Sequence, residues 1–188
     1  QSRGLGDVYK RQQGSGKSYS IVFFCQKILR KINGNQSFLV VTDRTELDEQ
    51  IYKTFVGVEA VKAESKIWAS SGEHLKTLLK QNNRYVFTLI HKFNEKVTEP
   101  IPDSEELIVI SDEAHRTQYG LLATNMRQAL PYAKFLGFTG TPLLSGDEKT
   151  KEYFGEYVSI YDFDRAVKDG ATAVSYTHLR AHETAANL

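Results

Sequence analysis

Apolar residues recur along the chain in two rhythms. Between positions 17 and 32 they fall at Ile21, Phe24, Ile28 and Ile32, close to the spacing of one helical face. Asn33-Gly34-Asn35 then supplies a helix stop. Phe38–Thr42 (FLVVT) is a continuous apolar, β-branched run and predicts a buried strand. Thr45 to about Thr54 predicts a second helix, with Thr45 as N-cap and Asp48 as an acid in the first turn. Ser71–Gln81 predicts a third helix, with Leu75, Leu78 and Leu79 on one face. Tyr85–Ile90 (YVFTLI) reads as a strand, and Pro100 and Pro102 make 98–104 a loop. Leu107–Ser111 (LIVIS) is a strand, Leu121–Leu130 a helix and Phe135–Thr139 (FLGFT) another strand. A last strand is predicted at Val158–Tyr161, with a short helix near Asp164–Lys168.

Continuous apolar strands separated by helices predict an α/β fold with a mostly parallel central sheet covered on both faces. Ligands of such sheets bind at the carboxyl ends of the strands. There is no internal repeat. The two ends follow neither rhythm. Residues 1–12 (QSRGLGDVYKRQ) and 174–188 (VSYTHLRAHETAANL) resemble read-through strings that flank unrelated reading frames in assembled sequence data. They are expected to be non-native scars, leaving one domain at 13–173.

Composition narrows the picture. The chain has 188 residues, 40% hydrophobic and 25% charged, as an ordinary globular domain does. No apolar run approaches the roughly 18 residues of a membrane span, and no signal peptide is visible. Cys25 is the single cysteine, which excludes an internal disulfide and a Cys-based zinc site. A cytoplasmic protein with no membrane contact is expected. The net charge of +1 carries no nucleic-acid signal. Without the two ends it becomes −1, from 20 basic and 21 acidic residues, because Arg3, Lys10, Arg11, Arg180, Asp7 and Glu183 leave the count.

Three motifs stand at predicted strand ends. Gly14-Ser15-Gly16-Lys17-Ser18 directly precedes the first helix. Glycines allow close backbone approach to a phosphate, while loop N–H groups and the helix N-terminus point at the anion. Lys17 would reach the β- and γ-phosphates of ATP, and Ser18 would ligate Mg²⁺. The full pattern asks for a glycine where Arg11 stands. Asp112-Glu113-Ala114-His115 follows LIVIS. Asp112 would hold Mg²⁺, and Glu113 would take a proton from attacking water. Thr139-Gly140-Thr141-Pro142 follows FLGFT, where hydroxyls could sense the nucleotide through the DEAH carboxylates. Two more strand ends offer groups for a nucleic-acid backbone: Thr42 and Arg44, and Thr88 and Lys92 in TLIHKF. His74 and His91 lack metal-ligand spacing and read as surface or hydrogen-bonded side chains. Phe24 and Cys25 are expected to pack the first helix on the sheet. Glu64-Ser65-Lys66 has the E-x-K spacing of some metal nucleases, without a paired upstream acid in a convincing strand.

QGSGKS, VVTDRTELDEQI, DEAHRTQYG, NMRQALP, FLGFTGTP and YDFDRAVKDGAT together resemble the motor region of type I restriction enzyme R subunits, from about Gln13 to Ala173. GSGKS and DEAH belong to the wider DEAD/DEAH-type helicase superfamily, and the other phrases narrow the resemblance. It implies a RecA-like P-loop three-layer sandwich, the first motor lobe of an ATP-driven translocase on double-stranded DNA, coupled to cleavage. Lys17, Ser18 and Asp112 would bind ATP and Mg²⁺, Glu113 would activate water, and His115 with Thr139, Gly140 and Thr141 would couple hydrolysis to movement. Thr42, Arg44, Thr88 and Lys92 would track the DNA backbone. The implied partners are methyltransferase and specificity subunits, a nuclease domain and a second motor lobe with a trans-acting arginine. Two alternatives stay open: another DEAH-type motor, such as a type III restriction subunit or a repair helicase, and a nucleotide-dependent binding module without hydrolysis.

Overall fold

A computed structural model describes residues 6–11, 16–62, 67–81, 83–94, 100, 106–112, 119–139, 154 and 157–161. Its strands are β1 (Gly6–Arg11), β2 (Ser37–Thr42), β3 (Tyr85–Leu89), β4 (Leu107–Asp112), β5 (Lys134–Thr139) and β6 (Tyr157–Tyr161). Its helices are α1 (Lys17–Lys31), α2 (Thr45–Gly57), α3 (Gly72–Lys80) and α4 (Tyr119–Ala129), with a 3-10 turn at Ile90–Phe93. The six strands form one sheet in the order β3-β2-β4-β5-β1-β6. Every neighbouring pair is parallel.

The side-chain period of two sorts each apolar strand onto both faces. Phe38 and Val40 of β2, Ile108 and Ile110 of β4, and Leu136 and Phe138 of β5 share a core with Ile21, Val22 and Cys25 of α1 and Ile51 and Phe55 of α2. The alternate residues Leu39, Val41, Leu107, Val109 and Phe135 join Leu75 and Leu78 of α3 and Ala123 and Met126 of α4. Strands buried on both sides explain why FLVVT and LIVIS show no polar alternation. This is the expected α/β fold, with helices on both faces of a parallel sheet. Phe24 packs against the first core and Cys25 is buried in it, as expected.

The structure differs from the expectations at three described places. Residues 1–12 were expected to hold no strand, yet Gly6–Arg11 is β1, an interior strand between β5 and β6. Ladder bonds are made by backbone N–H and C=O groups, so an interior slot can be filled without side-chain alternation. The N-cap of α2 is Arg44, not Thr45, which is the first helical residue. Ile90 leaves β3 and opens the 3-10 turn, which buries Ile90 and Phe93. Ser71 caps α3, its hydroxyl accepting from the His74 N–H at 3.1 Å. The 98–104 loop, apart from Pro100, the helix near 164–168 and Glu64-Ser65-Lys66 lie outside the described residues.

Candidate nucleotide site

The strand order brings the motifs together. β5 lies between β1 and β4. The register sets Lys10 of β1 opposite Thr139, and Asp112 opposite Phe138. The ends of all three strands therefore open on one edge of the sheet.

Gly16 is the N-cap of α1, with φ 72° and ψ 27°, the left-handed region that glycine enters without cost. A Cβ there would meet nothing within 4 Å, so the requirement is conformational and not one of space. Among the described residues Gly16, without a side chain, makes no side-chain cap to α1, and the first turn holds no acid to offset the positive end of the helix dipole. Ser20 closes this first turn, its N–H and its hydroxyl both donating to the Gly16 carbonyl, at 3.0 and 3.2 Å.

Lys17 turns from this helix start across β5, and its Nζ lies 2.7 Å from Oδ1 of Asp112. Two strand spacings are roughly 10 Å, within the combined reach of the lysine stem and the helix start. The pair is sheltered, the side chains being 13% and 3% exposed. Such a pair holds the two motifs in register, and removing one partner typically costs about 3–5 kcal/mol. Thr139 is buried at the end of β5, between the two motifs. Ser18 is half-buried in the first turn of α1. An uncapped helix start, an ammonium, a hydroxyl and a carboxylate on one edge fit a phosphate chain with a hard divalent cation. Gly14, Ser15, Glu113, His115, Gly140 and Thr141 lie outside the described residues.

The other two strand ends are less open than expected. Thr42 is fully buried, and its hydroxyl lies 3.4 Å from both the Arg44 carbonyl and Oδ1 of Asp48. Thr88 is 1% exposed, its hydroxyl donating to the Leu89 carbonyl at 3.4 Å. Both hydroxyls serve the protein interior here, which corrects the expectation that they face a phosphate directly. Arg44 remains outward, its side chain 59% exposed, with Nε 3.7 Å from Oδ2 of Asp43. Lys92 donates to the Ser70 carbonyl at 2.7 Å and ties the 3-10 turn to the start of α3. His74 Nδ1 pairs with the Ser70 hydroxyl at 2.9 Å, a hydrogen-bonded histidine as expected. Among the described residues no cluster of metal-ligating side chains occurs. Burial pushes the Cys25 thiol well above its ordinary range, so it packs and does not react.

Asp48, read from the sequence as a first-turn acid, has a burial that pattern reading missed. It is buried in the first turn of α2, and burial pushes its carboxyl from 3.8 up to about 6. Hydrogen bonds from the Trp68 and Thr42 side chains oppose that rise, and the charge of Glu49 adds to it. An acid at this position looks like a helix-dipole partner in sequence, and only the Trp68 packing identifies it as buried.

Comparison with known proteins agrees with this geometry. The chain is 42% identical over 179 residues to the type I restriction enzyme HindI endonuclease subunit of Haemophilus influenzae, covering 85% of this chain. It is 38% identical over 190 residues to the putative type I restriction enzyme MjaIXP endonuclease subunit of Methanocaldococcus jannaschii, covering 97% of this chain. The chain spans 17% and 18% of the length of these two relatives. Among solved structures, it resembles the UvsW helicase of bacteriophage T4, with a TM-score of 0.60 at 16% identity over 81% of this chain and 54% of that one. It also resembles a nuclease-deletion mutant of the type ISP restriction-modification enzyme LlaGI in complex with a DNA substrate mimic, with a TM-score of 0.61 at 15% identity over 96% of this chain and 20% of that one. These structural likenesses show the fold alone, a RecA-like α/β domain. The SWI2/SNF2 ATPase family model matches residues 2–187. With type I restriction endonuclease subunits as relatives at 38–42% identity, the chain belongs to the SWI2/SNF2 ATPase family.

Proposed function

We propose that this chain is the ATP-binding first lobe of a DNA-translocating motor in a type I restriction endonuclease R subunit. The observation that carries the reading is the 2.7 Å approach of Lys17 to Asp112 beside the uncapped, left-handed start of α1. It sets Lys17 beside Asp112 at the carboxyl edge of a parallel sheet, which supports reading GSGKS and DEAH as parts of one site.

When bound, ATP supplies the anhydride and Mg²⁺ the Lewis acid that lowers the cost of charge at the transferred phosphoryl group. The residues Gly14–Ser18 would hold the phosphates, with Lys17 neutralising their charge, and Ser18 and Asp112 would hold Mg²⁺. The Glu113 carboxylate takes the proton from attacking water. His115, Thr139, Gly140 and Thr141 carry the nucleotide state towards DNA. Double-stranded DNA is tracked at the neighbouring strand ends through Arg44 and Lys92, with Thr42 and Thr88 bracing those ends from inside. The partners are a second motor lobe, a nuclease domain, and methyltransferase and specificity subunits, in the cytoplasm. The lobe is assigned to 13–173, with 1–12 and 174–188 of non-native origin, although Gly6–Arg11 supplies strand β1 of its sheet.

Two substitutions in the full-length subunit test the reading. Lys17→Ala should weaken binding of a fluorescent ATP analogue by roughly tenfold or more, the loss of charge-assisted bonds to phosphate. Glu113→Gln should keep ATP affinity and stop hydrolysis. Unchanged hydrolysis in Glu113→Gln would sink its assigned role, and unchanged nucleotide affinity in Lys17→Ala would sink the site.

A further inference from the structure

The buried Asp48 carboxylate lies against the turn that joins β2 to α2. The Asp43-Arg44 pair leaves the end of β2, and α2 starts at Thr45. The Arg44 carbonyl takes the N–H of Asp48 at 3.1 Å. The Asp48 side chain then folds back beneath the turn. Its Oδ1 lies 3.4 Å from the Thr42 hydroxyl, which is also 3.4 Å from the Arg44 carbonyl. The Trp68 indole, a donor with one N–H and no acceptor, bonds the same carboxylate.

Trp68 is itself firmly placed. It forms a parallel bridge with Phe87 of β3. The neighbouring bonds are Ala69 N–H to the Phe87 carbonyl and Phe87 N–H to the Ile67 carbonyl, each at 3.0 Å. One turn along α2 from Asp48, the Tyr52 ring lies 4.3 Å from the Trp68 ring. Asp48 thus ties the end of β2, the start of α2 and the strip alongside β3 into one clasp. Directly above it, Arg44 projects a side chain 59% exposed at the carboxyl edge of the sheet.

We propose that Asp48 is a positioning residue: its buried carboxylate, clasping Thr42 and Trp68, holds the Asp43-Arg44 turn in the shape that presents the Arg44 guanidinium to a nucleic-acid phosphate. This rests on the DNA-tracking role proposed for Arg44 and adds the group that makes that role possible. Without the carboxylate, the guanidinium is displayed over many turn geometries, and binding bears the cost of selecting one.

The test uses the chain itself, a non-specific duplex oligonucleotide, and the fluorescence of Trp68, the single tryptophan. Arg44→Ala should weaken duplex binding and lower the salt slope by about one, as the loss of one phosphate contact does. Asp48→Ala should weaken binding by a comparable factor, about tenfold or less, and shift Trp68 emission in the free protein. Asp48→Asn keeps an acceptor for the indole and should restore both affinity and emission. Since both residues act through one contact, the double variant Arg44→Ala/Asp48→Ala should bind no more weakly than Arg44→Ala alone. Additive losses, or an Asp48→Ala chain that binds like the unchanged one, overturn the positioning role and leave the DNA reading standing. Failure of the unchanged chain to bind any duplex overturns both. An unshifted Trp68 emission in Asp48→Ala overturns the clasp, whatever the DNA result.

Discussion

At the scale of the residue, environment and not identity divides the acids. Asp112 closes β4 with an ammonium 2.7 Å away, whereas Asp48 is buried with two neutral hydrogen-bond donors. The Asp48 carboxyl, raised from 3.8 to about 6, has a definite consequence for stability. Between those values the folded state holds a proton that the unfolded state has released. Stability from this group is therefore full below the unfolded value and is lost as pH rises through the folded one. A shift of that size corresponds to about 3 kcal/mol. Asp48→Asn should remove this pH dependence and be the more stable form at neutral pH, by urea unfolding at stepped pH. A wild-type chain that gains stability over Asp48→Asn across the same interval would contradict the assignment. GSGKS and DEAH were legible because their chemistry requires those residue types in that order. The inward turn of Thr42 and Thr88 was not, because a threonine at a strand end has the same sequence signature facing either way.

At the scale of the element, periodicity located four helices and five strands, and local chemistry decided how each starts. α3 begins at Ser71, whose hydroxyl accepts from His74 N–H, while α1 begins at Gly16 with no side-chain cap. The contrast follows from the first residues: a serine hydroxyl caps α3, whereas Gly16 has no side chain with which to cap α1. Ser71→Ala should cost about 1 kcal/mol in chemical denaturation, a typical loss for a cap. β1 escaped the pattern because nothing in GDVYKR alternates. Its Val8 faces Gly137 of β5 and Tyr157 of β6, so its backbone is committed on both sides. Val8→Pro removes an N–H from that ladder and should destabilise the chain by roughly 1–3 kcal/mol, the cost of a buried group left without a partner. A chain indifferent to this proline would show that β1 adds nothing to the sheet.

At the scale of the whole molecule, one parallel sheet between two helical layers brings Lys17, Asp112 and Thr139 to one edge. The proposed motor needs a second lobe to bring an arginine to the γ-phosphate, a contribution of about 10³–10⁵ in rate in related hydrolases. The 188-residue chain by itself should therefore hydrolyse ATP negligibly, even with duplex DNA, while the full-length subunit turns over. A duplex-stimulated ATPase assay on both checks this. Rapid turnover by the short chain, abolished by Lys17→Ala, would refute the need for the second lobe.

Sequence alone determined the fold class, because strands buried on both faces must be apolar throughout and helices between them must be amphipathic. It also carries the proposed nucleotide chemistry, because phosphate binding calls for glycine, lysine and hydroxyl at fixed spacing. Only the tertiary structure decided the strand order, which sets β5 between β1 and β4 and lets Lys17 reach Asp112. It alone decided that Asp48 lies inside beneath Arg44, and that Gly6–Arg11 is a strand. These depend on which backbones pair and which side chains exclude water across long separations, information that no local run of residues carries.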